Sequence, residues 1–477
     1  MDQVVEDTDW AVERLFGTPD DPKIPEVEDE EVANLVSMEH LHRAAGPIVP
    51  QGETAELGGL YRKHCATCHG VTGNGRGPTG AILNPYPRDY RMGIFKFKST
   101  TRGAKPTRED LARSIREGIA GTAMVRIPEL SEDDVQALVD YVIYLSWRGQ
   151  VERQMIDAAM YDLDLAAGDR ILRPESADLM DQELAKLSEE DEEKVAALEE
   201  KIDAELAKEV EVLVKRENPQ ADEDALADLV DERLEGMKAN RRKEMVDGVL
   251  ARVASTAERD LWNRYQQLES KELFEENWGY VMDSVVDVAG TWLEAEDEVT
   301  EVEDPGEIPV PANRAEFVAM MAGPEADALK ASVARGHELF LSEAVGCAKC
   351  HGKEGKGDGQ TTDYDDWTKD WTVNVGLDPK NTDQLVPLLA RGALTPQNIR
   401  PRNFAEGVFR GGSDPEDLFR RIANGIAGTP MPAAPVIEGQ FERQDIWHLI
   451  NYIRSLDKSP EQTPDGAQPA VNEAAAL

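Results

Sequence analysis

The sequence has no apolar run approaching the ~18 residues that would span a bilayer. Its best stretch, Tyr141-Val142-Ile143-Tyr144-Leu145, is far too short. Met1 is followed by Asp2, Gln3 and an acidic stretch, so no signal peptide is read at the start. Positive charge is scarce: 52 basic residues face 94 acidic ones, a formal net charge of −42. That imbalance excludes nucleic acid, whose phosphates would be repelled. It predicts a protein that meets basic partner surfaces in salt-sensitive encounters. Aromatics make up 6% of the chain, so a packed core is feasible but not rich. Cysteine is scarcer still, with four in all. They fall into two equally spaced pairs, each followed at once by His, and none is left for a structural disulfide.

Composition along the chain divides it. Residues 1–48 read as an acidic, Pro-containing, poorly ordered leader with one short helix near Val32 to His42. Residues 49–149 form a compact unit. A short helix from Leu57 to Lys63 leads to the first cysteine pair, and a Gly-rich loop follows through Gly70, Gly73, Gly75, Gly77 and Pro78. Thr107 and Ser131 open two further helices with capping signatures. In the last of these, apolar residues at 135, 138, 139, 142 and 145 keep a helical period to about Trp147. Residues 150–312 differ in kind. Leu198, Ile202, Leu206 and Val210 recur amid dense Glu, Asp and Lys, which predicts a long amphipathic helix. Asn218-Pro219 breaks it, and a second helix from Asp222 past Leu250 makes a hairpin or small bundle. A linker at Asp304-Pro305-Gly306 and Pro309-Val310-Pro311 leads to a second compact unit over 313–458. A disordered tail over 459–477 ends the chain.

The two compact units are versions of one another. Pro87-Arg88-Asp89-Tyr90 is matched by Pro401-Arg402-Asn403-Phe404, and Gly93-Ile94-Phe95 by Gly407-Val408-Phe409. Gly118-Ile119-Ala120-Gly121-Thr122-Ala123-Met124 is matched by Gly425-Ile426-Ala427-Gly428-Thr429-Pro430-Met431. A repeat this long is a duplicated domain, not a solenoid. The second copy carries a Trp- and Asp-rich insertion before Pro401.

Each copy contains C-x-x-C-H: Cys65-Ala66-Thr67-Cys68-His69 and Cys347-Ala348-Lys349-Cys350-His351. Two cysteines three positions apart on a turn can form thioethers with the two vinyl groups of one haem, and the adjacent His then ligates the iron. A thioredoxin-like pair would need a βαβ context and no trailing His, and a four-thiolate zinc site would have to join pairs from separate domains. The reading is therefore two covalently bound haem c groups, held by Cys65, Cys68, Cys347 and Cys350, with His69 and His351 as proximal ligands. The sixth ligands follow by elimination and repeat matching: Met124 and Met431 occupy equivalent positions after a Gly-rich loop. Met92 aligns with Glu406, and His448 with Ala137, so neither fits the repeat. His64 and His337 read as surface residues. A backbone carbonyl must fix each proximal imidazole, and Pro78 is the expected source, with Gln360 in its place in the second copy. Gly58, Gly59 and Gly336 are small enough for close helix crossings, beside Tyr61, Phe340, Tyr141 and Tyr452.

These residues resemble the class I cytochrome c family over both compact units, about half of the chain. The resemblance implies all-α haem domains, low-spin iron, one-electron transfer and haem attachment on the outer side of a bacterial inner membrane. The sequence would then be a mature or truncated form. The fold class expected is all-α, two cytochrome c-like domains joined by the helical region. The function expected is electron transfer as a periplasmic carrier, or as a respiratory-complex subunit peripherally associated with a membrane complex and feeding a terminal oxidase or reductase. The expectation is of an electron carrier rather than an enzyme, because His/Met ligation leaves no open iron position. The alternatives are a dihaem peroxidase-type enzyme and a scaffold with accessory haems.

Overall fold

The computed structural model describes residues 2–47, 59–165, 168–360 and 362–458. The expected tail over 459–477, and the predicted start of the first compact unit over 49–58 with Leu57 and Gly58, lie outside them. Of the described residues 58% are helical and almost none lie in strands, an all-α fold. Among the described residues no helix is long and apolar enough to cross a membrane.

The chain divides into two compact units. One gathers residues 1–34 and 146–290. Here the leader expected to be poorly ordered forms the helix Asp2–Phe16, followed by a small antiparallel pair, Gly17–Thr18 with Asp21–Pro22. The acidic composition hides a helical stripe: Val4, Ala11, Val12 and Leu15 share one face and are buried. Trp10 meets Phe274 and Trp278 edge-on at 6.2 and 5.9 Å. Buried Asp7 accepts from Arg170 Nε at 2.9 Å and Nη2 at 2.5 Å. Of the two alternatives, hairpin or small bundle, the region takes the larger form, a set of four helices, Glu189–Glu217, Glu223–Glu235, Ala239–Val253 and Thr256–Leu293. Gly236 caps the second, so the single helix expected past Leu250 is split. Leu198, Ile202, Leu206 and Val210 pack on Leu226, Val230, Met245 and Val249 in one apolar cluster.

The other unit comprises 35–145 and 291–477, and its described part holds both repeat copies. Thr107 and Ser131 cap as expected. Asp110 N donates to Thr107 Oγ1 and Thr107 N returns to Asp110 Oδ2, both at 3.1 Å. Asp134 N donates to Ser131 Oγ at 3.2 Å and Ser131 N returns to Asp134 Oδ2 at 3.0 Å. The helix predicted to stop near Trp147 runs Glu132–Asp162. In the second copy, Ala326–Leu341 crosses Asp445–Ser455 at Gly336, where a Cβ would stand 1.9 Å from the carbonyl oxygen of His448. His448 itself is tied by Nδ1 to Ser332 Oγ at 2.7 Å, a helix-crossing role. The segment read as a linker is laid along the terminal helix: Trp447 Nε1 donates to Glu303 O and Asn451 Nδ2 to Pro309 O, both at 2.8 Å.

Candidate haem sites

The first cysteine pair lies where two short helices, Leu60–His64 and Ala66–His69, meet at Cys65; the second lies within Cys347–His351. None of the four cysteines is paired in a disulfide. The Gly-rich loops fold back under these turns. Gly75 N donates to His69 O and Gly357 N to His351 O, each at 2.8 Å. A Cβ on Gly77 would meet Thr67 O at 2.3 Å, and one on Gly359 would meet Lys349 O at 2.4 Å, so only glycine fits either position.

The imidazole of each C-x-x-C-H turn is fixed by a backbone carbonyl, but Pro78 is not its source. His69 Nδ1 donates to Arg88 O at 3.1 Å, and His351 Nδ1 to Arg402 O at 3.4 Å. A carbonyl only accepts, so the proton sits on Nδ1 and the lone pair on Nε2. Arg88 and Arg402 are equivalent in the repeat. The residues two places on, Tyr90 and Phe404, stack on the imidazoles at 4.8 and 4.6 Å between centroids. Sequence reasoning aligned these four residues and assigned them no part in the site. The signal was an aromatic at a fixed step after Pro-Arg in both copies. Met92 shares one 3₁₀ turn with Tyr90, which puts it on the element that stacks on His69.

The methionine loops are built by one hydrogen-bond code. Ile119 N donates to Met124 O at 2.7 Å, and Ile426 N to Met431 O at 3.1 Å. Met124 N donates to Thr122 Oγ1 at 3.1 Å, and Met431 N to Thr429 Oγ1 at 3.2 Å. Gly118 and Gly425 sit at φ 71° and 69°, where a Cβ would come within 2.5 and 2.6 Å of the carbonyl oxygens of Met124 and Met431. Both methionines are half-buried. Met431 packs on the same apolar cluster as Cys347 and Ala348.

The second glycine of each loop lies against the other copy. A Cβ on Gly121 would meet Val408 at 2.7 Å and Arg402 Nη1 at 3.4 Å; one on Gly428 would meet Ile94 at 3.2 Å and Arg88 Nη1 at 3.4 Å. Val408 and Ile94 are repeat equivalents, as are Arg402 and Arg88. The copies therefore meet through a locally two-fold, self-complementary face.

Burial dominates the electrostatics of both C-x-x-C-H turns. Burial pushes the Cys65 thiol up to about 12 and the Cys347 thiol up to about 11, with the neighbouring cysteine contributing in the same direction. Such thiols are inert in thiolate exchange. Burial brings His69 down to about 4, against the opposing pull of the Arg88 carbonyl, and lowers His351 likewise. Both imidazoles are thus neutral, as an iron ligand must be. Among the described residues no group of three or more His, Cys, Asp or Glu side chains is arranged to hold a metal ion directly. The cysteine pairs outside any disulfide, the Nδ1-anchored histidines and the half-buried methionines fit the attachment and axial ligation of haem c in each copy.

A helical domain built around C-x-x-C-H, with a carbonyl-anchored His and a glycine-hinged Met loop, defines a c-type haem protein. Residues 58–146 and 333–457 each match the Cytochrome c family model, so the chain carries two cytochrome c domains. Its function is haem-based redox chemistry, and such domains are typically extracytoplasmic. No curated protein matches the chain. Among solved structures it is similar to a reducing HAO-like protein complex of Kuenenia stuttgartiensis, at 18% identity over 83% of this chain and 94% of that one, with a TM-score of 0.37.

Proposed function

We propose that the protein is a dihaem c-type cytochrome that transfers single electrons. Cys65 and Cys68 would hold one haem and Cys347 and Cys350 the other, with axial pairs His69/Met124 and His351/Met431. Haem bound in this way supplies a one-electron iron couple whose potential His/Met ligation raises. The Arg88 and Arg402 carbonyls orient the imidazoles, Tyr90 and Phe404 fix the ring planes, and the glycine-hinged loops present the sulfurs. Both axial positions are then filled, which favours electron transfer over peroxide turnover. The observation that carries this reading is the repetition of one hydrogen-bond and stacking pattern around both C-x-x-C-H turns.

The chain would work on the outer face of a bacterial inner membrane, as a carrier or a peripheral subunit of a respiratory complex that delivers electrons to a terminal oxidase or reductase. With a net charge of −42 it would dock on basic partner surfaces. The test is a pyridine haemochrome assay with redox titration, on protein made with c-type maturation machinery. Two haems per chain and two low-spin couples are expected. One haem, or none, would overturn the proposal.

A further inference from the structure

We propose that Arg102 of the first haem domain is a positioning residue for the axial methionine of the second. It clamps the loop that presents Met431 and thereby raises the potential of that haem. The inference rests on the reading of Met431 as an iron ligand.

The geometry is direct. Arg102 Nη1 donates to Met431 O at 2.5 Å and Nη2 to Thr429 O at 2.9 Å. One guanidinium thus holds the ligand residue and the threonine whose hydroxyl accepts from Met431 N. A planar fork bonded twice fixes direction as well as distance.

Arg102 stands on a braced platform. Lys98 Nζ donates to Thr101 O at 2.6 Å and to Arg102 O at 3.1 Å. Thr101 N donates to Glu298 O, and Thr300 N to Ser99 O, both at 2.9 Å. Asn424, at the end of the helix Pro415–Asn424, donates to Thr100 O at 3.1 Å and to Thr300 Oγ1 at 2.7 Å. The segment carrying the clamp is therefore fixed to the helix that leads into the Met431 loop.

The arrangement is not symmetric. The Met124 loop receives Arg410 Nη2 at Gly121 O, at 3.3 Å and three residues before the methionine. The first-domain loop is thus held at its far end, and the second-domain loop at the ligand itself. Lys98, Arg102, Arg420 and Arg421 also gather around one small cavity beside the second loop. Positive charge near a haem favours its reduced, less positive state. Clamp and charge act in the same direction: a firmer sulfur–iron bond and nearby cations both raise the potential.

The test uses the full-length, haem-loaded protein and the variants Arg102→Gln, Arg102→Lys and Met431→Ala. The readouts are redox titration, the sulfur-to-iron charge-transfer band of the oxidised protein and haem count. In Arg102→Gln one of the two couples is expected to shift downward by on the order of tenfold in reduced-to-oxidised ratio, about 59 mV for one electron. About half of the band weakens while both haems remain attached. Arg102→Lys, keeping the charge but losing the fork, should shift the same couple less. Unchanged potentials and band in both arginine variants, with Met431→Ala still halving the band, would overturn the clamp. Equal shifts of both couples would also overturn it, as general loosening. A Met431→Ala variant with full band and unchanged potentials would instead remove the ligand reading beneath it.

Discussion

Tyr90 lies flat against the imidazole of His69, with ring centroids 4.8 Å apart and 16° between the planes. Phe404 holds His351 in the same way at 4.6 Å and 20°, so the stack needs an aromatic face and no hydroxyl. Tyr90 is buried and continues the stack to Phe95. Tyr90→Ala is therefore expected to cost roughly 3 kcal/mol, as aromatic core truncations do. Tyr90→Phe should unfold close to wild type, because the second domain already uses that side chain. Chemical denaturation of the two variants distinguishes these outcomes.

The glycines that open the methionine loops make a sharper prediction. Gly118 and Gly425 have φ/ψ of 71°/−168° and 69°/−168°, a region that essentially only glycine occupies. Gly118→Ala should cost about 1–3 kcal/mol of local strain. The new Cβ would push on Met124 O, so the variant should lose about half of the sulfur-to-iron band. Gly425→Ala should lose the other half, and the double variant should lose both. Absorption spectra of the oxidised variants provide the check.

Lys105 gives a pH dependence. It is 8% exposed, donates to Gly93 O at 3.1 Å and lies 5.8 Å from the Trp292 ring centroid. Burial brings its ammonium down to about 8, from an ordinary value of 10.5. Between these limits the unfolded chain binds the proton more readily than the folded one, so stability rises with pH. Fully developed, this contribution is about 3 kcal/mol. Lys98, itself brought down to about 8, adds a trend of the same sign. Unfolding measured at pH 7 and pH 9.5 should show the gain in wild type. Lys105→Met should show a smaller one.

The surface charge predicts a kinetic effect. With a net charge of −42, electron transfer to a basic redox partner should slow as the Debye length falls from about 30 Å at 0.01 M salt to about 8 Å at 0.15 M. Stopped-flow oxidation across that range should give a steep decline. A flat profile would show that docking does not use the acidic surface.

The two C-x-x-C-H turns, the duplicated domain, the capped helices at Thr107 and Ser131 and the all-α class were legible because each is a local pattern. A capping box needs four residues, and an amphipathic stripe needs a period. The leader helix was missed because acidic composition outweighed a real periodicity at Val4, Ala11, Val12 and Leu15. The middle region was read as two helices because the break at Gly236 and the helix Thr256–Leu293 carry weaker punctuation than Asn218-Pro219.

The sequence alone determined which residues recur in matching positions: the cysteines, His69 and His351, Met124 and Met431, because matching needs only order and identity. Only the tertiary structure decided which carbonyl holds each imidazole. Arg88 lies 19 residues from His69 and Arg402 lies 51 from His351, and loop length does not encode where a chain returns. Folding also decided that Gly121 and Gly428 serve a face between the two copies, and that Arg102 reaches a loop 329 residues away. Contacts between distant segments depend on how the helices pack, and no local pattern records them.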